Sequence, residues 1–186
     1  MRILFQMFLL AAALMLAGLF TSQAAQTQQW PTQPGSHGAT FETPWDNRTR
    51  QVHVHLPTGF GMEDGIARPL VVALHGGGGS GPIFKYTTGY DLKADAENFI
   101  VVFPAGTGNP RTWNASTECC GQANINQIDD VRFLREMVLS LLGAYTIDSA
   151  KVYAVGFSNG AVMSWRLGCD AADLFDAIGM DAGDST

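Results

Sequence analysis

Histidine is scarce in this chain, and His37, His53, His55 and His75 all precede the chain's most informative segment, around Ser158. Cysteine is scarcer still, with only Cys119, Cys120 and Cys169. No histidine cluster lies near the cysteines in sequence, so metal binding is a poor reading of them and no metal is expected. Bases are few: 11 Lys and Arg against 17 Asp and Glu give a net charge of −6. That balance argues against a nucleic-acid partner or an anionic membrane surface. After Phe20 no apolar run is long enough to cross a bilayer. Neither a G-x-x-x-x-G-K-[ST] phosphate loop nor a G-x-G-x-x-G turn opening a helix occurs, and no cofactor is expected. Internal repeats and domain linkers are missing as well.

What is present begins with Met1-Arg2 and an apolar run from Ile3 to Phe20. Thr21-Ser22-Gln23-Ala24-Ala25 then supplies small residues where a signal peptidase cuts. Residues 1–24 read as a signal peptide, which implies a secreted protein, extracellular or periplasmic, that is free of the membrane after cleavage. Roughly 160 residues remain, one domain's worth, expected to act as a monomer. Residues 25–44 are polar and carry Gly and Pro, so they read as a flexible lead-in, with residues 45–186 as the folded domain. In an oxidising compartment a bridge from Cys169 to Cys119 or Cys120 is favoured over a vicinal Cys119–Cys120 bond. Asn47 and Asn114 head N-x-[ST] sequons.

The rest of the chain alternates strand and helix patterns. Arg50 to Leu56 alternates polar and apolar residues as an outer strand does, with His53 and His55 on its solvent side. Pro69 to Leu74 and Phe99 to Phe103 are continuous apolar runs, the mark of central strands covered on both faces. Asp129 or Asp130 caps a helix to about Ala144, with Val131, Leu134, Val138, Leu141 and Leu142 as its buried stripe. Lys151 to Val155 and Phe175 to Met180 read as further strands. Helices between apolar strands imply an α/β fold with a doubly wound, mostly parallel sheet. Trp113 and Tyr86 read as packing residues ahead of cleft-lining ones.

Gly156-Phe157-Ser158-Asn159-Gly160 sits between the strand at Lys151–Val155 and a helix beginning at Ala161. A turn that sharp forces Ser158 into a strained backbone and requires small residues two before and two after it. The serine hydroxyl then stands at a helix N-terminus, where free N–H groups favour a developing negative charge. His75-Gly76-Gly77-Gly78-Gly79 follows a central strand, and glycine lets its backbone approach a reacting carbonyl. Two donors are needed for an oxyanion, and Gly77 and Asn159 N–H are the candidates. His75, Gly76 and Gly78 form the supporting loop, with His75 orienting it rather than serving as a base.

Several of these segments occur in register. They are His75-Gly76-Gly77, Trp113 ahead of Cys119-Cys120-Gly121, Asp129-Asp130-Val131-x-Phe133-Leu134, Val152-Tyr153-Ala154-x-Gly156-x-Ser158-Asn159-Gly160-Ala161, and Arg166-Leu167-x-Cys169. In that order they resemble the secreted polyhydroxybutyrate depolymerase and feruloyl esterase-like family of α/β-hydrolases, over roughly residues 48–183. The resemblance implies a carboxylic ester hydrolase acting on aliphatic polyesters, hydroxycinnamoyl esters or acetylated polysaccharide. It also implies Ser158 as nucleophile, with Gly77 and Asn159 as the oxyanion hole.

The departure lies after the serine. In this fold the acid and then the histidine follow the nucleophile. No histidine follows Ser158, and without one none of Asp173, Asp176, Asp181 and Asp184 can be assigned as the triad acid. Loss of the base costs about 10⁶ in turnover. The 186-residue chain is therefore expected to be nearly inert alone and to be the N-terminal part of a longer reading frame. Two alternatives stand beside this reading. One is a non-catalytic secreted binding protein on a degenerate hydrolase scaffold, and the other is a serine peptidase of the same fold.

Overall fold

A computed structural model describes residues 28–183. The signal-peptide reading of residues 1–24 lies outside them. Six strands form one sheet in the order β1-β2-β4-β3-β5-β6. They are β1 (Gly35–Thr43), β2 (Arg48–Leu56), β3 (Arg68–Leu74), β4 (Ile100–Pro104), β5 (Ile147–Phe157) and β6 (Ala177–Asp181). β1–β2 and β2–β4 pair antiparallel, while β4–β3, β3–β5 and β5–β6 pair parallel. The helices are α1 (Gly81–Thr88), α2 (Tyr90–Glu97), α3 (Gln122–Ile125), α4 (Asp130–Ala144) and α5 (Asn159–Asp170).

Both faces of the sheet are covered, as the apolar runs require. Leu70, Val72 and Leu74 of β3, with Ile100 and Val102 of β4, join Phe133, Leu134, Met137, Val138 and Leu141 of α4 and Met163 and Leu167 of α5 in the main core. Ala73, Val101 and Phe103 turn the other way, against Ala94 of α2 and Phe84 of α1. The buried side of α4 includes Phe133 and Met137, whereas Val131 and Leu142 sit half-buried at its margins. Asp129 is the cap, its carboxylate accepting the Arg132 N–H at 3.1 Å. Asp130 is instead fully buried.

Four expectations need correction. Residues 28–44, the described part of the lead-in, are largely ordered structure: β1 pairs with β2 over its full length. Just ahead of it, the Trp30 indole donates to Ser140 Oγ at 2.9 Å and the Pro31 carbonyl accepts from the Tyr145 hydroxyl at 2.7 Å. Backbone pairing and the buried Phe41, packed between Trp30 and Phe133, supply the stability that its small and polar side chains do not. The second correction concerns β2, where His55 is buried rather than solvent-facing because α2 lies over that face. Third, Tyr86 is not a packing residue; it projects from α1 into solvent. Fourth, the disulfide joins Cys119 to Cys120, and Cys169 is an exposed thiol. Cys169 lies ten residues along α5 from Asn159, about 15 Å at 1.5 Å per residue, beyond reach of the pair at the helix start. The Asn114 sequon is buried and its amide donates to the Ile128 carbonyl, so it offers no room for a glycan.

Candidate active site

Ser158 joins β5 to α5 with φ 53° and ψ −121°, a conformation that costs a non-glycine residue about 1–3 kcal/mol. Surrounding structure holds it there. Its N–H donates to the Asp181 carbonyl at 2.9 Å, and its own carbonyl accepts from Ala161 and Val162 N–H at 2.8 and 3.1 Å. The flanking glycines are there for space. A Cβ on Gly156 would run into the Gly160 carbonyl, and one on Gly160 would run into the carbonyls of Leu74 and His75. Ser158 is half-buried and opens onto a cleft of about 330 Å³ lined by Ser116, Glu118, Cys119, Asn159, Val162 and Gly183.

The glycine loop comes up to this turn. A Cβ on Gly76 would stand 3.4 Å from Ser158 Cβ and 3.0 Å from the Phe157 ring. Gly78 N–H donates to the Arg111 carbonyl at 2.7 Å and Gly79 N–H to the Gly76 carbonyl at 3.0 Å. Of the four glycine amides, those of Gly76 and Gly77 have no backbone acceptor. Asn159 opens α5, where the leading N–H groups have no carbonyl within the helix to bond. Its side chain is fully engaged, the Oδ1 accepting the Trp113 N–H at 2.7 Å and the Nδ2 donating to the Trp113 carbonyl at 3.1 Å. Both disulfide sulfurs lie 3.6–3.7 Å from the same Nδ2.

Trp113 is the piece that the motifs left without a role. Completely buried, it donates from Nε1 to the His75 carbonyl at 2.8 Å while its backbone holds Asn159. One residue thus ties the glycine loop to the first residue of α5. Only its place ahead of Cys119-Cys120 hinted at this, because the partners lie 38 and 46 positions away.

His75 is buried with both ring nitrogens engaged. Gly106 N–H donates to Nε2 at 3.0 Å, so Nδ1 carries the proton and donates to the Gly76 carbonyl at 2.7 Å. It orients the loop and has no nitrogen left for Ser158. Burial pushes its imidazole below the ordinary value; the Gly76 carbonyl opposes this and Arg111 and Arg50 reinforce it. A base with a depressed folded-state pKa is protonated first in the unfolded chain, so stability is full above pH ~6.5 and falls as pH drops below it. A urea midpoint series from pH 7.5 to 5 should show this loss, with a limiting slope of about 1.4 kcal/mol per pH unit from this group. His75→Gln should remove that part of the slope.

Among the described residues no histidine bonds the Ser158 hydroxyl; His37 Nε2 donates to the carbonyls of Gln33 and Pro34, and His55 is held by Ser36 and Asp95. The family model described as esterase PHB depolymerase matches residues 51–185. The chain belongs to that family. A putative esterase, NocK, of Nocardia uniformis subsp. tsuyamanensis is 34% identical over 137 residues, covering 73% of this chain and 38% of NocK. Feruloyl esterase B of Thermothelomyces thermophilus is 31% identical over 136 residues, covering 71% of this chain and 44% of its own length. The chain thus spans about two-fifths of the length of these relatives. The solved structure of an acetyl xylan esterase from Aspergillus awamori superposes with a TM-score of 0.63 at 22% identity, over 80% of this chain and 53% of that one. At that identity the match establishes the shared α/β-hydrolase fold.

Proposed function

We propose that this member of the esterase PHB depolymerase family is a secreted serine carboxylic ester hydrolase. Its substrate class is the acetyl or hydroxycinnamoyl esters of polysaccharide, or an aliphatic polyester. The observation that carries the reading is the Ser158 backbone, held at φ 53° at the start of α5 with the glycine loop against it. Strain of that kind has no use in a passive scaffold. In the reaction the Ser158 Oγ attacks the ester carbonyl and the alkoxide oxygen is held by Gly77 and Asn159 N–H. Losing one such donor costs about 10²–10³ in rate. Collapse of this intermediate breaks the ester C–O bond and releases the alcohol with a proton, leaving an acyl group on Ser158. Water then attacks that acyl carbon, releasing the acid and restoring the hydroxyl.

Both His75 nitrogens are occupied, so on this reading Ser158 has no base among the described residues and the 186-residue chain alone reacts slowly. A phosphonate ester probe tests both parts. The 186-residue chain should label at Ser158 near background, and a longer form that supplies a histidine base should label rapidly and hydrolyse p-nitrophenyl acetate. Ser158→Ala in the longer form should lower hydrolysis by about 10⁶. Strong Ser158 labelling of the short chain would overturn the missing base. A longer form with an unreactive Ser158 would favour the binding-scaffold reading.

A further inference from the structure

We propose that Ser36 is a second nucleophilic serine, an acyl-acceptor site in which His55 is the base and Asp95 fixes its tautomer. The three side chains form a continuous relay. Ser36 Oγ lies 2.8 Å from His55 Nδ1, and His55 Nε2 lies 3.2 Å from Asp95 Oδ1. They come from β1, β2 and α2, so the fold and not the local sequence assembles them.

The order of protons follows from what each group can do. A carboxylate only accepts, so the proton on His55 resides on Nε2, facing Asp95. Nδ1 is left with its lone pair toward Ser36, and the serine hydroxyl donates to it. Asp95 Oδ1 is itself fixed by the Thr58 N–H at 2.8 Å. The imidazole is nearly enclosed, with 7% of its side chain exposed, which prevents it from turning away. Ser36 is exposed on β1, a sheet-edge strand, so an acyl donor can reach its hydroxyl.

This site is independent of the elbow. Three strands separate β1 from β5, about 19 Å at 4.8 Å per spacing. β1 runs in the same direction as β5, and the registers set Ser36 level with Tyr153, five residues before Ser158, a further offset of roughly 16 Å along the strands. The donor class is an activated ester, an aryl or thiol ester. Ser36 Oγ forms the new C–O bond as its proton passes to His55 Nδ1. The bond from the acyl carbon to the leaving oxygen or sulfur breaks, and the imidazolium returns the proton to the leaving group or to solvent. The products are O-acyl-Ser36 and the free phenol or thiol.

The test uses the 186-residue chain carrying Ser158→Ala, treated with p-nitrophenyl acetate and mapped by peptide mass spectrometry. Ser36 should be acetylated at least about 100-fold faster than the exposed Ser149 in the same molecule, the scale of general-base assistance. His55→Gln should remove that advantage and Asp95→Asn should reduce it. Acetylation of Ser36 and Ser149 at equal rates would overturn the proposal without any substitution at His55. Preserved Ser36 acetylation in a folded His55→Gln chain would also overturn it. Neither result bears on Ser158, which the background substitution removes.

Discussion

Asp130→Ala is expected to lower the unfolding free energy by about 3–5 kcal/mol, enough to remove much of the 5–15 kcal/mol that a domain of this size holds. Asp130 and Arg50 form an ion pair at 2.7 Å with side-chain exposures of 0% and 3%. The other carboxylate oxygen accepts the buried Asn114 N–H at 2.8 Å. The guanidinium carbon lies 3.9 Å from the centre of the Phe133 ring, so the charge is packed between β2 and α4. Removing the carboxylate strands a cation and an amide donor in an apolar core. The exposed Arg135–Asp173 pair, with two bonds of 2.6 Å, makes the comparison: Asp173→Ala should cost under about 1 kcal/mol. Urea titrations of the two variants measure both. A loss below 1 kcal/mol for Asp130→Ala would show that the pair contributes no more than a surface one.

Gly160→Ala should be the second large effect, about 3 kcal/mol or more, together with loss of any Ser158 reactivity toward a phosphonate probe. The added methyl group meets the Leu74 and His75 carbonyls. These are backbone atoms at the end of β3, and they can yield only by moving the strand or α5. Either movement shifts the glycine loop away from Ser158. Gly143→Ala is the matched control. It lies in the last turn of α4 with open space around its Cβ position, and the exchange should stabilise by roughly 0.5–1 kcal/mol. Thermal melts of the two variants should therefore move in opposite directions. A Gly160→Ala chain that melts with the parent would mean that the elbow tolerates displacement.

Legibility followed the physics of each element. β3 and β4 were readable because strands covered on both faces must be apolar throughout. The elbow was readable because its steric demands fall on adjacent positions, and Gly156 and Gly160 meet them. β1 was not readable. Its side chains are largely small or polar, and apart from the buried Phe41 what holds it is main-chain pairing to β2, which leaves no mark in composition. Trp113, Arg50 and Asp95 escaped for a different reason. Each acts through a partner 38 to 80 positions away, and no periodicity encodes such a distance. The disulfide was misread because a linear sequence does not reveal that α5 carries Cys169 away from the adjacent pair.

The Ser158 N–H is pinned to the carbonyl of Asp181, and a Cβ on Gly183 would lie 3.4 Å from the Ser158 carbonyl. The end of β6 is therefore also the doorstep of the nucleophile. Polypeptide leaving this strand sets out from the rim of the reaction centre. A side chain delivered from there pays little for the encounter, since ring closure over a short tether is entropically cheap.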